Sequence, residues 1–259
     1  MQGVVTVPAL LLDIGNTRLK WGLFNGKRIV RTGNIGHARL KDSGFNALTK
    51  RLPRHVDNVL VSNVAGQDFA TQLARVVGMH CDTDVRFMRS KKQACGVTNS
   101  YRQPRRLGVD RWAAMIGARA EMKSALCVVD AGSAITIDAV DRHGQHLGGQ
   151  IIPGLHLMHR ALQSDTAGIK GVRIRSRAPG TGMALFANST SGAVQAGALN
   201  AICGAIDRAV KTMRADGLRP RVFVTGGGVS PILEQLGANV LHRPHLVLQG
   251  LATMLQEKG

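Results

Sequence analysis

The octapeptide Asp13-Ile14-Gly15-Asn16-Thr17-Arg18-Leu19-Lys20 follows the apolar run Ala9-Leu10-Leu11-Leu12 and leads at once into Leu19-Lys20-Trp21-Gly22-Leu23-Phe24. An apolar strand that meets a carboxylate, a glycine bend and small polar residues before a second strand reads as a tight β-hairpin. The tip of such a hairpin can bring backbone N–H groups and hydroxyls against a phosphate. Gly15 lets the backbone come close, Asn16 and Thr17 offer hydrogen bonds, and Lys20 supplies positive charge. Asp13 is placed to hold a metal ion or its water. Taken alone, Asp-x-Gly-Asn is also ordinary turn chemistry.

The design recurs. Val128-Val129-Asp130-Ala131-Gly132-Ser133-Ala134-Ile135-Thr136-Ile137-Asp138 is again an apolar strand, Asp-x-Gly, a small hydroxyl residue and a second strand. Later, Val222-Phe223-Val224-Thr225 runs into Gly226-Gly227-Gly228, with Pro231 where the N1 proline of a helix belongs. No G-x-x-x-x-G-K-[ST] occurs, so the site is not a Walker A site. The late triple glycine lacks the spacing of a dinucleotide fingerprint. Two phosphate hairpins and a late strand–Gly–Gly–helix resemble the order of parts in the sugar-kinase/actin-like superfamily. That resemblance implies an α/β fold of two similar actin-like, ribonuclease H-like domains, with mixed sheets flanked by helices and ATP in the cleft between them. The hairpins would grip the phosphates, and the third element would pack against adenosine.

A chain of 259 residues can bury a large core. The internal duplication divides it into domains at 1–122, with the first hairpin and the substrate loop, and 123–259, with the second hairpin, the glycine element and a dimer helix. With one Tyr, two Trp and six Phe, the core falls to Leu, Val, Ile and Ala. No apolar stretch is long enough to span a membrane, and no secretory signal is visible. Cys81, Cys95, Cys127 and Cys203 lack C-x-x-C spacing, which fits reduced thiols in the cytoplasm. The net charge of +18 would suit a nucleic-acid surface. Scarce aromatics and the lack of a reading motif argue against one. Basic residues gather in 86–111 and 170–177, where Asp110 is the only acid, and Arg173, Arg175 and Arg177 alternate as on an exposed strand face. Such charge forms a solvated face or attracts a nucleotide and an acidic substrate.

Along the chain, strands are expected near 8–14, 19–24, 28–32 and 58–64, and a helix near 67–78. Residues 89–107 read as a long polar loop over a site. Asp110–Ala120 reads as a helix, with apolar residues at 112, 115, 116 and 120. Another helix is expected at 155–163. A long one at about 190–214 carries Val194, Ala198, Ile202, Ile206 and Met213 on one face, with Ser189 or Thr190 as N-cap and Gly217 as terminator. Gly192, Ala193, Gly197, Ala201, Cys203, Gly204 and Ala205 make much of its remaining surface small, which suits burial on several sides.

The chain resembles one family specifically, the type III pantothenate kinases of coenzyme A synthesis. The match runs in order through Asp13-x-Gly15-Asn16-Thr17-x-x-Lys20, then Tyr101 with Gly108-Val109-Asp110-Arg111-Trp112. It continues through Asp130-x-Gly132-Ser133-Ala134-x-Thr136, Gly149-x-Ile151-x-Pro153-Gly154 and Thr190-x-x-Ala193-Val194-x-x-Gly197. Asp-Arg-Trp is the discriminating element. The resemblance implies ATP, with a divalent cation such as Mg²⁺, held by Asp13, Ile14, Gly15, Asn16, Thr17, Arg18, Leu19, Lys20 and Ser133. It implies pantothenate held by Tyr101, Gly108, Val109, Asp110, Arg111 and Thr190, with Asp110 as general base. It also implies a monovalent cation, K⁺ or NH₄⁺, on Asp130, and an obligate homodimer whose substrate pocket lies at the interface. The family usually has threonine where Ser133 stands, and serine keeps the hydroxyl.

Chemistry read from the residues agrees. Phosphoryl transfer needs positioning, charge neutralisation and a group to orient the attacking hydroxyl. An ionised Asp110 near a positive helix end can accept an alcohol proton, though it could also serve simply as a cap. Arg111 could pair with a carboxylate or join the basic face. His143/His146, His156/His159 and His242/His245 each have His-x-x-His spacing but no matching carboxylate or cysteine, so they read as surface or interface residues rather than zinc ligands. Two rival readings are a non-catalytic transcription accessory protein of the same family and a related kinase with another acceptor.

Overall fold

The computed structural model describes residues 8–170, 185–236 and 240–257. The chain forms two compact units, one taking the chain up to Met122 and again from Leu246, the other running from Lys123 to His245.

In the first unit, β1 (Ala9–Ile14) is buried at every position. A strand with no solvent face belongs in the middle of a sheet covered on both sides. It pairs antiparallel with β2 (Arg18–Phe24), which pairs with β3 (Ile29–Gly36). Two short helices follow, α1 (His37–Ser43) and α2 (Asn46–Thr49). Strand β4 (Asn58–Asn63) lies parallel to β1, and after α3 (Gln67–Cys81) the strand β5 (Val85–Phe87) lies parallel to β4. The order is β3-β2-β1-β4-β5. Ala70, Leu73, Val77 and Cys81 line one stripe of α3 and pack with Leu10, Leu12, Ile14, Val59 and Val61 on one face of the sheet.

Residues 89–107, expected as a loop, contain a small hairpin of β6 (Gln93–Ala94) and β7 (Val97–Thr98) and a 3₁₀ turn at Pro104–Arg106. Helix α4 (Val109–Glu121) follows.

The second unit repeats the plan. Strands β8 (Leu126–Ala131), β9 (Ala134–Val140) and β10 (His146–Pro153) form an antiparallel meander. Helices α5 (Leu155–Asp165) and α6 (Thr190–Ala215) lead to β11 (Arg221–Thr225), which is parallel to β8; β12 (Val240–His242), beyond α7 (Ser230–Leu236), is parallel to β11. The order β10-β9-β8-β11-β12 matches that of the first sheet, strand for strand. Ile202, Ile206, Val210 and Met213 of α6 pack on Cys127, Val129, Ile135 and Val224. Ser189 caps α6 by accepting from the Gly192 N–H at 3.2 Å, and Gly217, at φ +77°, ends it. Pro231 is the second residue of α7. Arg173, Arg175 and Arg177 lie outside the described residues.

One assignment changes. The sequence reading gives everything after 122 to the second domain, yet α8 (Leu246–Gln256) belongs with the first unit. Its Leu246, Leu248 and Leu251 are fully buried, and Leu248 lies over Gly22 of β2, on the opposite face of the sheet from α3. Helices α4 and α8 cross through two glycines. A β-carbon at Gly117 would lie 2.5 Å from the Leu246 carbonyl oxygen, and one at Gly250 would overlap the Ala113 carbonyl. Gly250→Ala must therefore push the helices apart. It should destabilise the fold by about 1–3 kcal/mol, as overpacking does, seen as a Tm several degrees lower in thermal unfolding.

Candidate active site

In the first hairpin the carboxylate of Asp13 is 7 % exposed, at the carboxyl end of β1. Register sets Lys20 of β2 on one side of it and Ser62 of β4 on the other. Ser62, fully buried, donates its hydroxyl to Asp13 Oδ1 at 3.2 Å. The turn closes with the Gly15 N–H on the Arg18 carbonyl at 3.1 Å, leaving Asn16, Thr17 and Arg18 exposed. Ile14 and Leu19, expected among the ATP contacts, are fully buried in the core, so only their main chain is free to serve there.

The second hairpin is one residue shorter. Asp13 pairs with Lys20, seven positions on, whereas Asp130 pairs with Thr136, six on. The Gly132 N–H bonds the Ala134 carbonyl at 3.0 Å, and Gly132 and Ser133 are exposed. Beside Asp130, in the place Ser62 holds in the first unit, stands Thr225. Thr225 is buried, and its Oγ1 has no hydrogen-bond partner. The glycine element closes over this strand end. Gly226 has φ +105°, and a β-carbon there would come within 2.6 Å of Asp130 Oδ1, so only glycine fits. The Gly228 N–H donates to the Ala131 carbonyl at 2.9 Å.

The third group sits at the start of α4. Asp110, in the first helical turn, accepts from the Arg111 N–H at 2.8 Å. Arg111 is buried; its guanidinium donates to the Tyr101 hydroxyl at 3.0 Å and lies 5.9 Å from that ring's centre. Trp112 is fully buried, so Asp-Arg-Trp joins a half-buried aspartate, a guanidinium set on Tyr101 and an indole in the core. Asn99 holds the loop before it. Its amide donates to the Lys91 and Pro104 carbonyls at 3.2 and 3.1 Å, its Oδ1 accepts from the Tyr101 N–H at 3.0 Å, and its carbonyl accepts from Lys92 Nζ at 3.0 Å. Ser90 Oγ donates to the Leu107 carbonyl at 2.9 Å.

The first unit thus brings Asp13–Lys20 into one hairpin and Tyr101 with Gly108–Arg111 into one cluster. Asp130, Ser133 and Thr190 belong to the second unit, where Thr190 is the exposed first residue of α6. Ser62, Asn99 and Thr225 escape the sequence reading; Ser62 and Thr225 are visible only through parallel strand register. His146 corrects the expectation of surface histidines. It is fully buried, with Nε2 3.0 Å from Asp138 Oδ1. Burial, then the neighbouring His156, hold the His159 imidazole below its usual pKa. Among the described residues no group of three or more metal-binding side chains occurs. Burial, with smaller pushes from Asp138 and Asp207, raises the Cys127 and Cys203 thiols to about 12 and about 11, so neither is a ready nucleophile.

Paired sheets of identical strand order, each presenting an Asp-x-Gly hairpin at its parallel strand ends, define the actin-like sugar-kinase fold. Two solved structures share it. One is a Campylobacter jejuni protein described as of the Baf family of transcriptional activators (TM-score 0.57, 19 % identity, covering 96 % of this chain and 98 % of that one). The other is a Sinorhizobium meliloti protein described as a 2-dehydro-3-deoxygalactonokinase (TM-score 0.54, 13 % identity, 95 % and 97 % covered). At such identities the likeness is one of fold. Within that fold the chain belongs to the type III pantothenate kinase family, which it matches over residues 9–212. The type III pantothenate kinase of Nitrosococcus oceani is 35 % identical over 256 residues, covering 96 % of this chain and 94 % of the relative. No described helix is long and apolar enough to cross a membrane.

Proposed function

We propose that this chain transfers the γ-phosphoryl group of ATP to the 4′-hydroxyl of pantothenate, the first step of coenzyme A synthesis, with Asp110 as general base. Family membership carries the kinase activity and the acceptor. The residue roles rest on the geometry of the two hairpins and the α4 cluster.

The exposed tip Asn16–Arg18, bent at Gly15, suits the triphosphate, and Lys20 suits its charge. Asp13, with one oxygen engaged by Ser62, suits a divalent cation or its water. Ser133 faces solvent on the second hairpin, as a phosphate contact must. Tyr101, Gly108, Val109 and Arg111, with Thr190, are assigned to pantothenate, and a buried guanidinium already braced by a phenol is well suited to the acceptor's carboxylate. Asp110 takes the hydroxyl proton as the new O–P bond forms and the bond to the leaving ADP breaks. Its place in the first turn of α4 favours the ionised form this requires.

Asp130 is assigned a monovalent cation. The partnerless Thr225 hydroxyl beside it offers a second oxygen, fitting a hard cation's preference. Such an ion offsets a carboxylate that would otherwise face anionic phosphates.

A homodimer is the assembly we assign. The apolar face of α6, which could have served as an interface, is buried against its own sheet. Ala193, Gly197, Ala201 and Gly204 lie exposed along its outer side. Helix α5, which packs on α6 and β10, has no buried residue, and Ile151 of β10 and Phe186 are 63 % and 85 % exposed. Apolar exposure on this scale suits a second copy. The four cysteines are free thiols, in keeping with a cytoplasmic enzyme.

Asp110→Asn should leave Mg-ATP binding intact and lower pantothenate turnover by ~10²–10⁴-fold in a coupled ADP-release assay; a rate within a few-fold of wild type would reduce Asp110 to a cap. Turnover should rise with K⁺ or NH₄⁺ over a bulky organic cation, and Asp130→Ala should abolish that response; equal rates in all buffers would remove the ion. Light scattering at micromolar concentration should give twice 27.6 kDa. A fully active monomer would remove the dimer and the interfacial pocket with it.

A further inference from the structure

Between β5 and α4 the chain has little regular structure to hold it, only the small β6–β7 hairpin and one 3₁₀ turn. Two buried polar side chains hold it instead. Ser90 ties the start of the segment to its end through the Leu107 carbonyl, at 2.9 Å. Asn99, with no exposed surface, ties the points between. Its carboxamide reaches Lys91 ahead of the hairpin, Pro104 in the 3₁₀ turn and the main chain of Tyr101, at 3.2, 3.1 and 3.0 Å. Its own main chain closes on Lys92 twice: the N–H donates to the Lys92 carbonyl at 2.8 Å, and the carbonyl accepts from Lys92 Nζ at 3.0 Å.

The partners demand a carboxamide. Two of the three groups that the side chain meets are carbonyls, which can only accept, and the third is an N–H, which can only donate. Both Nδ2 hydrogens and Oδ1 are thereby engaged, in one orientation. Aspartate has the same shape, but it would set an oxygen against the Lys91 and Pro104 carbonyls.

Tyr101 is held at both ends. Asn99 Oδ1 accepts from its N–H, and Arg111, in the first turn of α4, donates to its hydroxyl at 3.0 Å. The ring therefore joins loop to helix, and the alignment of the two passes through the Asn99 carboxamide. Asp110 directly precedes Arg111. We propose that Asn99 is a positioning residue for the acceptor: its buried carboxamide holds Tyr101 on Arg111, and so sets that pair for pantothenate beside Asp110. ATP should be indifferent to it, because the Asp13–Lys20 hairpin is fastened through β1, β2 and β4. The proposal rests on the assignment of Tyr101, Asp110 and Arg111 to pantothenate.

Asn99→Asp, Tyr101→Phe and the double variant test it, by steady-state kinetics with pantothenate, calorimetry with Mg-ATP and thermal unfolding. Kinetics and calorimetry are run at a temperature where every variant is folded. Asn99→Asp should lower kcat/KM for pantothenate by about ten- to a hundredfold, the worth of two lost hydrogen bonds whose carbonyls stay buried. Mg-ATP affinity should stay close to wild type. In the Tyr101→Phe background the hydroxyl that meets Arg111 is already gone, so the same change should cost much less. An asparagine that merely supports the fold gives another pattern: losses that follow Tm, fall equally on both substrates and are undiminished by Tyr101→Phe. Any one of these, or an unchanged kcat/KM in Asn99→Asp, would overturn the proposal and leave the acceptor assignment standing. A wild-type protein that does not phosphorylate pantothenate would overturn both. Asn99→Ser, which removes the carboxamide without adding charge, serves as the same test should Asn99→Asp not fold.

Discussion

The crossing of α4 and α8 is the steric constraint on which the cluster at the start of α4 depends. Backbone can meet backbone there only because Gly117 and Gly250 carry no side chain. That closeness seats α4 against the sheet along its length, with Val109 and every residue from Arg111 to Arg119 buried. Fixing the axis of α4 fixes its first turn, and so the places of Asp110 and Arg111. The guanidinium then braces Tyr101, and Asn99 gathers the loop behind that ring. A packing contact near one end of the helix thus determines where a carboxylate stands at the other.

The duplicated sheets explain why polar groups lie where they do. In each unit the inner parallel strands, β1 with β4 and β8 with β11, end together, and an aspartate faces a hydroxyl across them: Asp13 with Ser62, Asp130 with Thr225. Carboxyl ends of parallel strands are where ligands meet open α/β sheets. The pairs have diverged. Ser62 donates to its aspartate, whereas the Thr225 hydroxyl has no hydrogen-bond partner. The hairpins differ likewise, one fastened by the main-chain N–H of His37 on the Thr17 carbonyl and the other closed over by glycines.

Much of this was legible in the sequence. Strand β1 is an unbroken apolar run, and α6 carries its cap, its stripe and its terminator in plain view. The hairpins declare themselves through Asp-x-Gly, and the Asp-Arg-Trp element narrows the resemblance to one family. What escaped depends on distance along the chain. Ser62 is an ordinary strand serine until parallel register sets it beside Asp13, and Thr225 is the same case. Residues 89–107 are polar enough to read as a loose loop, because the order imposed by Asn99 comes from bonds to backbone carbonyls that no side-chain pattern records. Helix α8 is apolar, but nothing in its composition says that its partner is α4 rather than the unit it directly follows in sequence.

That return of the chain bears on how the protein is made. The sheet of the first unit is synthesised before the second unit, yet the part of it that α8 covers stays open until 246–257 have been made. The second unit is contiguous, from Lys123 to His245, and can finish on its own. Domains generally fold as their segments emerge. Here the earlier half is completed last, and the nascent chain carries an open apolar strip beside α4 through the whole synthesis of the later one.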